Sequence, residues 1–197
     1  MFIRFVAIIF ALSLGACSPV FNWRDVPFEA TGSVVLLPCK PNRAQRLVPL
    51  LGQSEQVLSM AGCEAGGASF SVSVVQLPLG TTDSDARMAL ARWQQAHEAT
   101  LKSRAGLTSG IALRGASAAQ LVVTKLEGEA AMANKSQTQS RSVFALQLAP
   151  RSSSSSSSSA GPVLMHAQLL GEPEGGRDGP SALSAQAADT FIAGLNL

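Results

Sequence analysis

Apolar and polar residues follow two different periods along the chain, one typical of strands and one of helices. In Ser69–Leu77 apolar residues alternate with serines, which is typical of a strand with one buried face. Three apolar runs of similar length precede it, namely Ser33–Leu37, Arg46–Leu51 and Gln56–Ala61. Because short connections join these four runs, we expect an antiparallel meander rather than crossover connections.

A helical period begins after Thr82–Asp85, whose capping and acidic side chains suit the free amides and the positive dipole end of a helix. The apolar stripe of this helix comprises Ala86, Ala89, Leu90, Trp93, Ala96, His97 and Leu101. Gly106 is predicted to end the helix. A second helix is predicted over Ser181–Ala193. Its apolar face comprises Leu183, Ala187, Phe191 and Ile192.

Three more strands are predicted in the second half of the chain, at Gln120–Leu126, Arg141–Leu148 and Pro162–Leu170. The polyserine run Ser152–Ser159 separates the last two, and we expect a disordered loop at residues 151–161 because serine builds no core. These elements predict an α+β fold in which an antiparallel sheet of about six or seven strands is packed by two helices. Residues 32–197 then form a single domain.

The N-terminus has the features of a secretory signal peptide. Residues 1–16 contain an almost wholly apolar run, Phe5–Leu14, which is about half of the ~20 residues that span a bilayer. Cleavage by an ordinary signal peptidase before Cys17 would place Leu14 where that enzyme prefers a small residue. Leu14–Cys17 instead resembles the bacterial lipobox, which implies that Cys17 is lipidated with palmitate-like acyl chains. A buried cysteine behind an ordinary signal peptide is the alternative.

Lipidation would determine where the protein resides, because several acyl chains form a durable membrane anchor. Ser18 stands where an aspartate retains lipoproteins in the inner membrane, so the resemblance implies outer-membrane delivery with the domain in the periplasm. Residues 17–31 are predicted to be the lipidated cysteine and a tether, which reaches about 45 Å when extended. Trp23 lies in this tether, either at the lipid interface or against the edge of the domain.

Net charge gives no support for a nucleic-acid partner. The chain of 197 residues has 15 basic and 13 acidic side chains, and only Arg4 of these charges lies in the signal peptide. The nearly neutral charge of the mature protein gives no electrostatic argument for a nucleic-acid partner. We therefore expect contacts with a membrane and with an envelope protein.

Cys39 and Cys63 form an even pair in an oxidising compartment, which predicts a disulfide. Closing a loop of about 24 residues stabilises a fold by roughly 3 kcal/mol in the chain-entropy model. In a simple meander, however, one strand would hold the two cysteines about 10 Å apart. A disulfide requires Cα atoms about 4.4–6.8 Å apart, so the flanking loops must fold toward each other. Metal or redox use is the weaker alternative.

The two histidines are the candidates for chemistry. His97 lies on the apolar stripe of the first helix, where we expect it to be partly buried and bonded to a backbone carbonyl. His166 lies in the middle of a predicted strand. The two histidines could meet across the helix–sheet interface and bind a metal, but two ligands without a nearby acid are a weak metal site. We therefore predict no metal and no cofactor.

Nucleophile and nucleotide motifs do not support an enzyme. Gly115–Ala119 contains Ser117 but lacks the second glycine of G-x-S-x-G, and neither a G-x-G-x-x-G nor a Walker sequence is present. We predict a non-catalytic protein.

Lys40, Arg43 and Arg46 cluster after the first predicted strand. They could contact anionic lipid headgroups beside the anchor, or they could form an ordinary solvated turn, which we favour.

Three segments carry a resemblance to a family: Asn22–Val26, Leu37–Pro41 and Ala188–Leu197. They resemble the small lipoproteins of betaproteobacteria, which are similar to the PsbP-like α/β/α sandwich, named after an extrinsic photosystem II subunit. The resemblance implies a fold and no reaction. The polyserine run and the absence of tyrosine depart from the family.

Three functions remain open from the sequence. The favoured hypothesis is a membrane-anchored periplasmic lipoprotein whose domain is a non-catalytic accessory or protein-binding module. The alternative is a carrier of a small apolar ligand between sheet and helices. A hydrolase is the third, and it requires His97 or His166 to lie beside a serine and an acid in an open cleft.

Overall fold

The computed structural model describes residues 20–52, 54–109, 121–130, 138–148, 161–171 and 185–197. Within these ranges the chain forms ten strands and two helices. The strands are β1 (Arg24–Phe28), β2 (Ser33–Leu37), β3 (Asn42–Leu51), β4 (Ser54–Ala65), β5 (Ala68–Gln76), β6 (Leu101–Ser109), β7 (Leu121–Ala130), β8 (Gln139–Gln147), β9 (Val163–Gly171) and β10 (Leu195–Asn196). The helices are α1 (Asp83–Glu98) and α2 (Ala185–Ala193).

Seven strands form one antiparallel sheet in the order β3-β4-β5-β9-β8-β7-β6. Tight hairpins join β3 to β4 and β4 to β5, and the latter turns through Gly66 and Gly67, both with positive φ. Strands β3 and β6 lie at the two edges. The predicted α+β class and the antiparallel sheet are therefore confirmed.

A second, three-stranded sheet has the order β1-β2-β10. Its β2 is the first strand of the predicted meander, so that prediction is wrong at this point, because β2 pairs with β1 and β10 instead of β3. The prediction that residues 17–31 form a tether is also wrong from Phe21 onward. Its residues 24–28 form β1, which pairs with β2 from Arg24 opposite Leu37 to Phe28 opposite Ser33.

Both faces of the large sheet are covered, which gives three layers. On β5, Phe70, Val72 and Val74 point to a core shared with the small sheet and α2. The opposite face of β5 presents Val75 to a second core, which it shares with Leu90 of α1. The two helices therefore lie on opposite faces of the sheet.

Helix α1 begins as its sequence predicts and ends earlier. The Thr82 hydroxyl caps it by accepting a hydrogen bond from the Asp85 amide at 3.1 Å. The helix ends at Glu98, and the Thr100 amide and hydroxyl both donate to the carbonyl of His97. The predicted stop at Gly106 is wrong, because Gly106 lies inside β6.

The later elements are longer or shorter than expected. Strand β7 extends to Ala130, and β6 and β10 were not predicted. Residues 1–19, Gly115–Ala119, Ser152–Ser159 and the predicted helical turn at 181–184 lie outside the described residues. Among the helices that the structure describes, none is long and apolar enough to cross a membrane.

Candidate functional site

The disulfide corner lies where the chain passes from the small sheet to the large one. Cys39 and Cys63 are disulfide-bonded, with their Cα atoms 5.9 Å apart. After Cys39 the chain enters the large sheet at Asn42, which pairs directly with Gly62, the neighbour of Cys63. The expected separation by one strand is wrong, because Cys39 approaches Cys63 from the connection between the two sheets.

Aromatic side chains attach the start of the chain to this corner. The ring centroids of Phe21 and Trp23 each lie 6.2 Å from that of Phe70, in edge-to-face geometry. The Asn22 amide donates to the carbonyl of Pro38 at 2.7 Å. Trp23 is therefore packed against the edge of the domain, and the packed domain begins at Phe21 rather than at residue 32.

The three cations of the predicted cluster do not converge on one site. The Arg43 guanidinium donates to the carbonyl of Pro27 at 2.9 Å and lies 5.8 Å from the ring centroid of Phe28. Arg46 is three residues further along β3 and points to the opposite face of the strand. Lys40, Arg43 and Arg46 are all exposed to solvent.

A surface groove of about 670 Å³ lies beside Arg43, between the end of β1 and the strands β3 and β4. Its lining is Phe28, Glu29, Ala30, Arg43, Ala44, Gln45, Ser59 and Met60. The groove is open and mixed in polarity, so it differs from the apolar space between sheet and helices that the carrier hypothesis expects.

An exposed apolar pair lies further along the same edge. Leu47 on β3 is directly opposite Val57 on β4, and the two side chains are 59% and 52% exposed. Within the described residues, β3 has no strand partner on its outer side. An open strand edge with apolar side chains beside it is a common protein-docking surface.

His97 and His166 meet between α1 and the large sheet, with ring centroids 4.8 Å apart. Nε2 of His97 lies 2.9 Å from the hydroxyl of Ser142 on β8. The predicted bond to a backbone carbonyl is wrong, because β8 presents a buried serine hydroxyl directly beneath the helix. The hydroxyl of Ser142 is also 3.4 Å from the hydroxyl of Ser140. The side-chain amide of Gln168 donates a hydrogen bond to the Ser140 hydroxyl at 3.2 Å.

His166 is the more buried of the two histidines, with 9% of its surface exposed. Its ring stacks on Phe144 at 4.3 Å and makes an edge contact with Trp93 at 5.7 Å. In the part of the chain that the structure describes, its Nε2 atom has no hydrogen-bond partner. Burial, and secondarily the charge of His97, lowers the pKa of His166 to about 3.

The chemistry available to this cluster is limited by access. Burial also lowers the pKa of His97, and the nearby Glu98 partly opposes that shift. Both histidines are therefore neutral at pH 7. Ser142 has no exposed surface, so its hydroxyl cannot reach a substrate while α1 is in place.

No three histidine, cysteine, aspartate or glutamate side chains gather as metal ligands among the described residues. The two histidines meet, as one hypothesis allowed, and the partner of His97 Nε2 is the hydroxyl of Ser142.

Sequence reasoning missed Ser140 and Ser142, which lie with Phe144 on the α1 face of β8. Their period-two spacing in Gln139–Gln147 was the available signal. The sequence could not show that this face lies beneath His97, because 45 residues separate Ser142 from that histidine.

No family model, curated protein or solved structure matches this chain. It is an α+β protein with one helix on one face of an antiparallel sheet and, on the other, a small sheet and a second helix. A disulfide closes the corner at which the packed chain begins.

Proposed function

We propose that the protein is a lipoprotein of the bacterial cell envelope, anchored through Cys17 with its domain in the periplasm at the outer membrane. The observation that carries this proposal is the lipobox-like Leu14–Cys17, which lies only four residues ahead of the packed Phe21. The Cys39–Cys63 disulfide supports it, because disulfides persist in oxidising compartments such as the periplasm.

The family assignment is part of the same proposal. We assign the chain to the betaproteobacterial lipoproteins with a PsbP-like α/β/α sandwich. The arrangement of α1 and α2 on opposite faces of one antiparallel sheet supports this assignment. So do the turn at Leu37–Pro41 and the C-terminal segment 188–197, which are the segments that carry the resemblance.

The domain itself acts as a non-catalytic module that binds a protein. Its docking surface is the edge of β3, where Leu47 and Val57 offer exposed apolar area. Arg43 and Arg46 lie on the same strand, which has no acidic side chain. The partner is therefore an extended segment with acidic and apolar residues, which adds to the free edge of the sheet.

A second copy of the chain fits this edge less well than an acidic segment. Antiparallel pairing of β3 with β3 offers Arg43 and Arg46 no acidic partner, and pairing centred on Arg46 would place this residue opposite itself. Like charges directly opposite one another are destabilising in a sheet.

Two experiments test this function. Detergent-phase partition should place the wild type in the detergent phase. Cys17→Ala has no thiol to acylate, so the fraction of this variant in the detergent phase should be lower. A photo-crosslinking residue at Val57 should then trap one envelope protein in cells, while the same residue at the exposed Met88 of α1 should not. The adduct at Val57 should be lost on Arg46→Glu. Equal adducts at Val57 and Met88 would contradict the β3 docking surface.

A further inference from the structure

The structure leaves very little free chain between the proposed anchor and the domain. Phe21 is packed on Phe70, and the Asn22 amide is bonded to Pro38, so the chain is attached to the domain from Phe21 onward. Only three peptide units separate the Cα atoms of Cys17 and Val20. They span at most about 11 Å when fully extended.

This distance brings one part of the domain to the membrane. The polar headgroup layer on each side of a bilayer is about 5–7 Å thick. Acyl chains on Cys17 would begin at the inner boundary of that layer, so Val20 can rise only slightly above its outer boundary. The side of the domain that carries Val20 must then touch the headgroups.

The residues around Val20 suit that position. Val20 is 49% exposed, and Lys40 is exposed next to the disulfide-bonded Cys39. Nε of Arg24 donates to the carbonyl of Asn22 at 3.4 Å, which holds a second cation near the start of the packed chain. Exposed cations beside a membrane are attracted to anionic headgroups.

We propose that this N-terminal corner, formed by Val20, Arg24 and Lys40, lies on the lipid headgroups and that its two cations contact lipid phosphates. The inference rests on the proposed lipidation of Cys17 and adds the orientation of the domain. The anchor and the short chain after it bring this corner to the bilayer, and the two cations stabilise its contact with the headgroups.

The same orientation keeps the proposed docking surface accessible. Strand β3 starts at this corner with Asn42, and Leu47 lies five residues, about 17 Å, further along the strand. The headgroup contact thus occupies one end of β3, and a partner occupies the part of the strand around Leu47.

The two tryptophans of the chain allow a direct test. Trp23 lies beside the corner, whereas Trp93 lies in α1 on the opposite face of the large sheet. Purified lipidated protein is placed in phosphatidylcholine vesicles containing phosphatidylglycerol and a headgroup spin-labelled lipid. Trp93→Phe leaves only Trp23 fluorescent, and Trp23→Phe leaves only Trp93. We expect Trp23 to be quenched at least twofold more than Trp93.

The controls separate orientation from attachment. Equal quenching of the two tryptophans, or stronger quenching of Trp93, overturns the proposed orientation if the protein floats with the vesicles. Failure to float overturns the lipid anchor itself and the orientation with it. Lys40→Gln should reduce the quenching of Trp23, whereas Arg87→Gln, on the exposed face of α1, should not. Equal effects of these two substitutions contradict the role of Lys40.

Discussion

The imidazole rings of His97 and His166 are in contact across the helix–sheet interface, with their centroids 4.8 Å apart. One ring belongs to the last turn of α1 and the other to β9, in the interior of the sheet. Nε2 of His97 lies 2.9 Å from the hydroxyl of Ser142, whereas Nε2 of His166 has no hydrogen-bond partner among the described residues. The contact therefore joins helix and sheet through two uncharged rings.

Acid should weaken the fold through this pair. Burial depresses the pKa of His97, and that of His166 falls to about 3, so between roughly pH 6.5 and pH 3 the unfolded chain binds more protons than the folded one. The contribution of the two neutral histidines to the free energy of unfolding is therefore fully present above their pKa in the unfolded chain. It is lost as the pH falls toward their pKa in the folded protein. For His166 the slope approaches about 1.4 kcal/mol per pH unit within this range, and His97 adds a smaller contribution of the same sign.

Urea unfolding at pH 7.5, 6.0 and 5.0 measures this dependence. His166→Phe retains an aromatic ring against Phe144 and removes the titrating group. The variant should show a shallower loss of stability on acidification than the wild type. An identical pH dependence in both proteins would show that His166 does not titrate as described.

The hydrogen bond between Ser142 and His97 should contribute to stability. Ser142→Ala removes a buried hydroxyl and leaves Nε2 of His97 without its partner, which should cost about 1–2 kcal/mol. Ser84→Ala, at an exposed position in the first turn of α1, should change the free energy of unfolding by less than about 0.5 kcal/mol. Thermal or urea unfolding compares the two variants, and equal stability would contradict the role of the bond.

The disulfide should stabilise the corner between the two sheets. Cys39→Ala combined with Cys63→Ala removes the cross-link and should lower the free energy of unfolding by about 3 kcal/mol. Reducing agent should destabilise the wild type to a similar extent and leave the double variant unchanged. A double variant as stable as the oxidised wild type would contradict this contribution.

Trp23 should stabilise the fold, although the sequence predicts it to lie in a tether. Trp23→Ala removes the contact with Phe70 and should cost about 2 kcal/mol for a half-buried aromatic side chain. Val20→Ala provides the control, because Val20 is exposed and precedes the packed residues. Denaturant unfolding should show little change in the free energy of unfolding for Val20→Ala. An equally small change for Trp23→Ala would support the predicted tether instead.

Local patterns predicted the elements that depend on local physics. The alternation in β5 identified a strand, and the capping residues of α1 identified its start, because both signals act within a few residues. The prediction that only one face of β5 is buried is wrong, because α1 covers the other face. Strand β1 has no such signal. Its sequence contains Asp25 and Pro27, which are poor strand formers, and it is a strand because it pairs with β2.

Long-range pairing determined what the sequence could not reveal. Strand β2 belongs to the small sheet and not to the predicted meander, and this placement allows Cys39 to reach Cys63. No residue near β2 indicates which sheet it joins. Similarly, the position of His97 on the buried stripe was predictable, but its contacts with His166 and Ser142 depend on how α1 crosses the sheet.

The chemical state of Cys17 tests the central claim most directly. Intact and peptide mass spectrometry of the mature protein from bacterial membranes should find Cys17 as the first residue, with acyl groups on its sulfur and amine. The mass of residues 1–16 should be absent. An unmodified cysteine at this position, or an intact leader, would contradict the assignment of this chain as a lipoprotein.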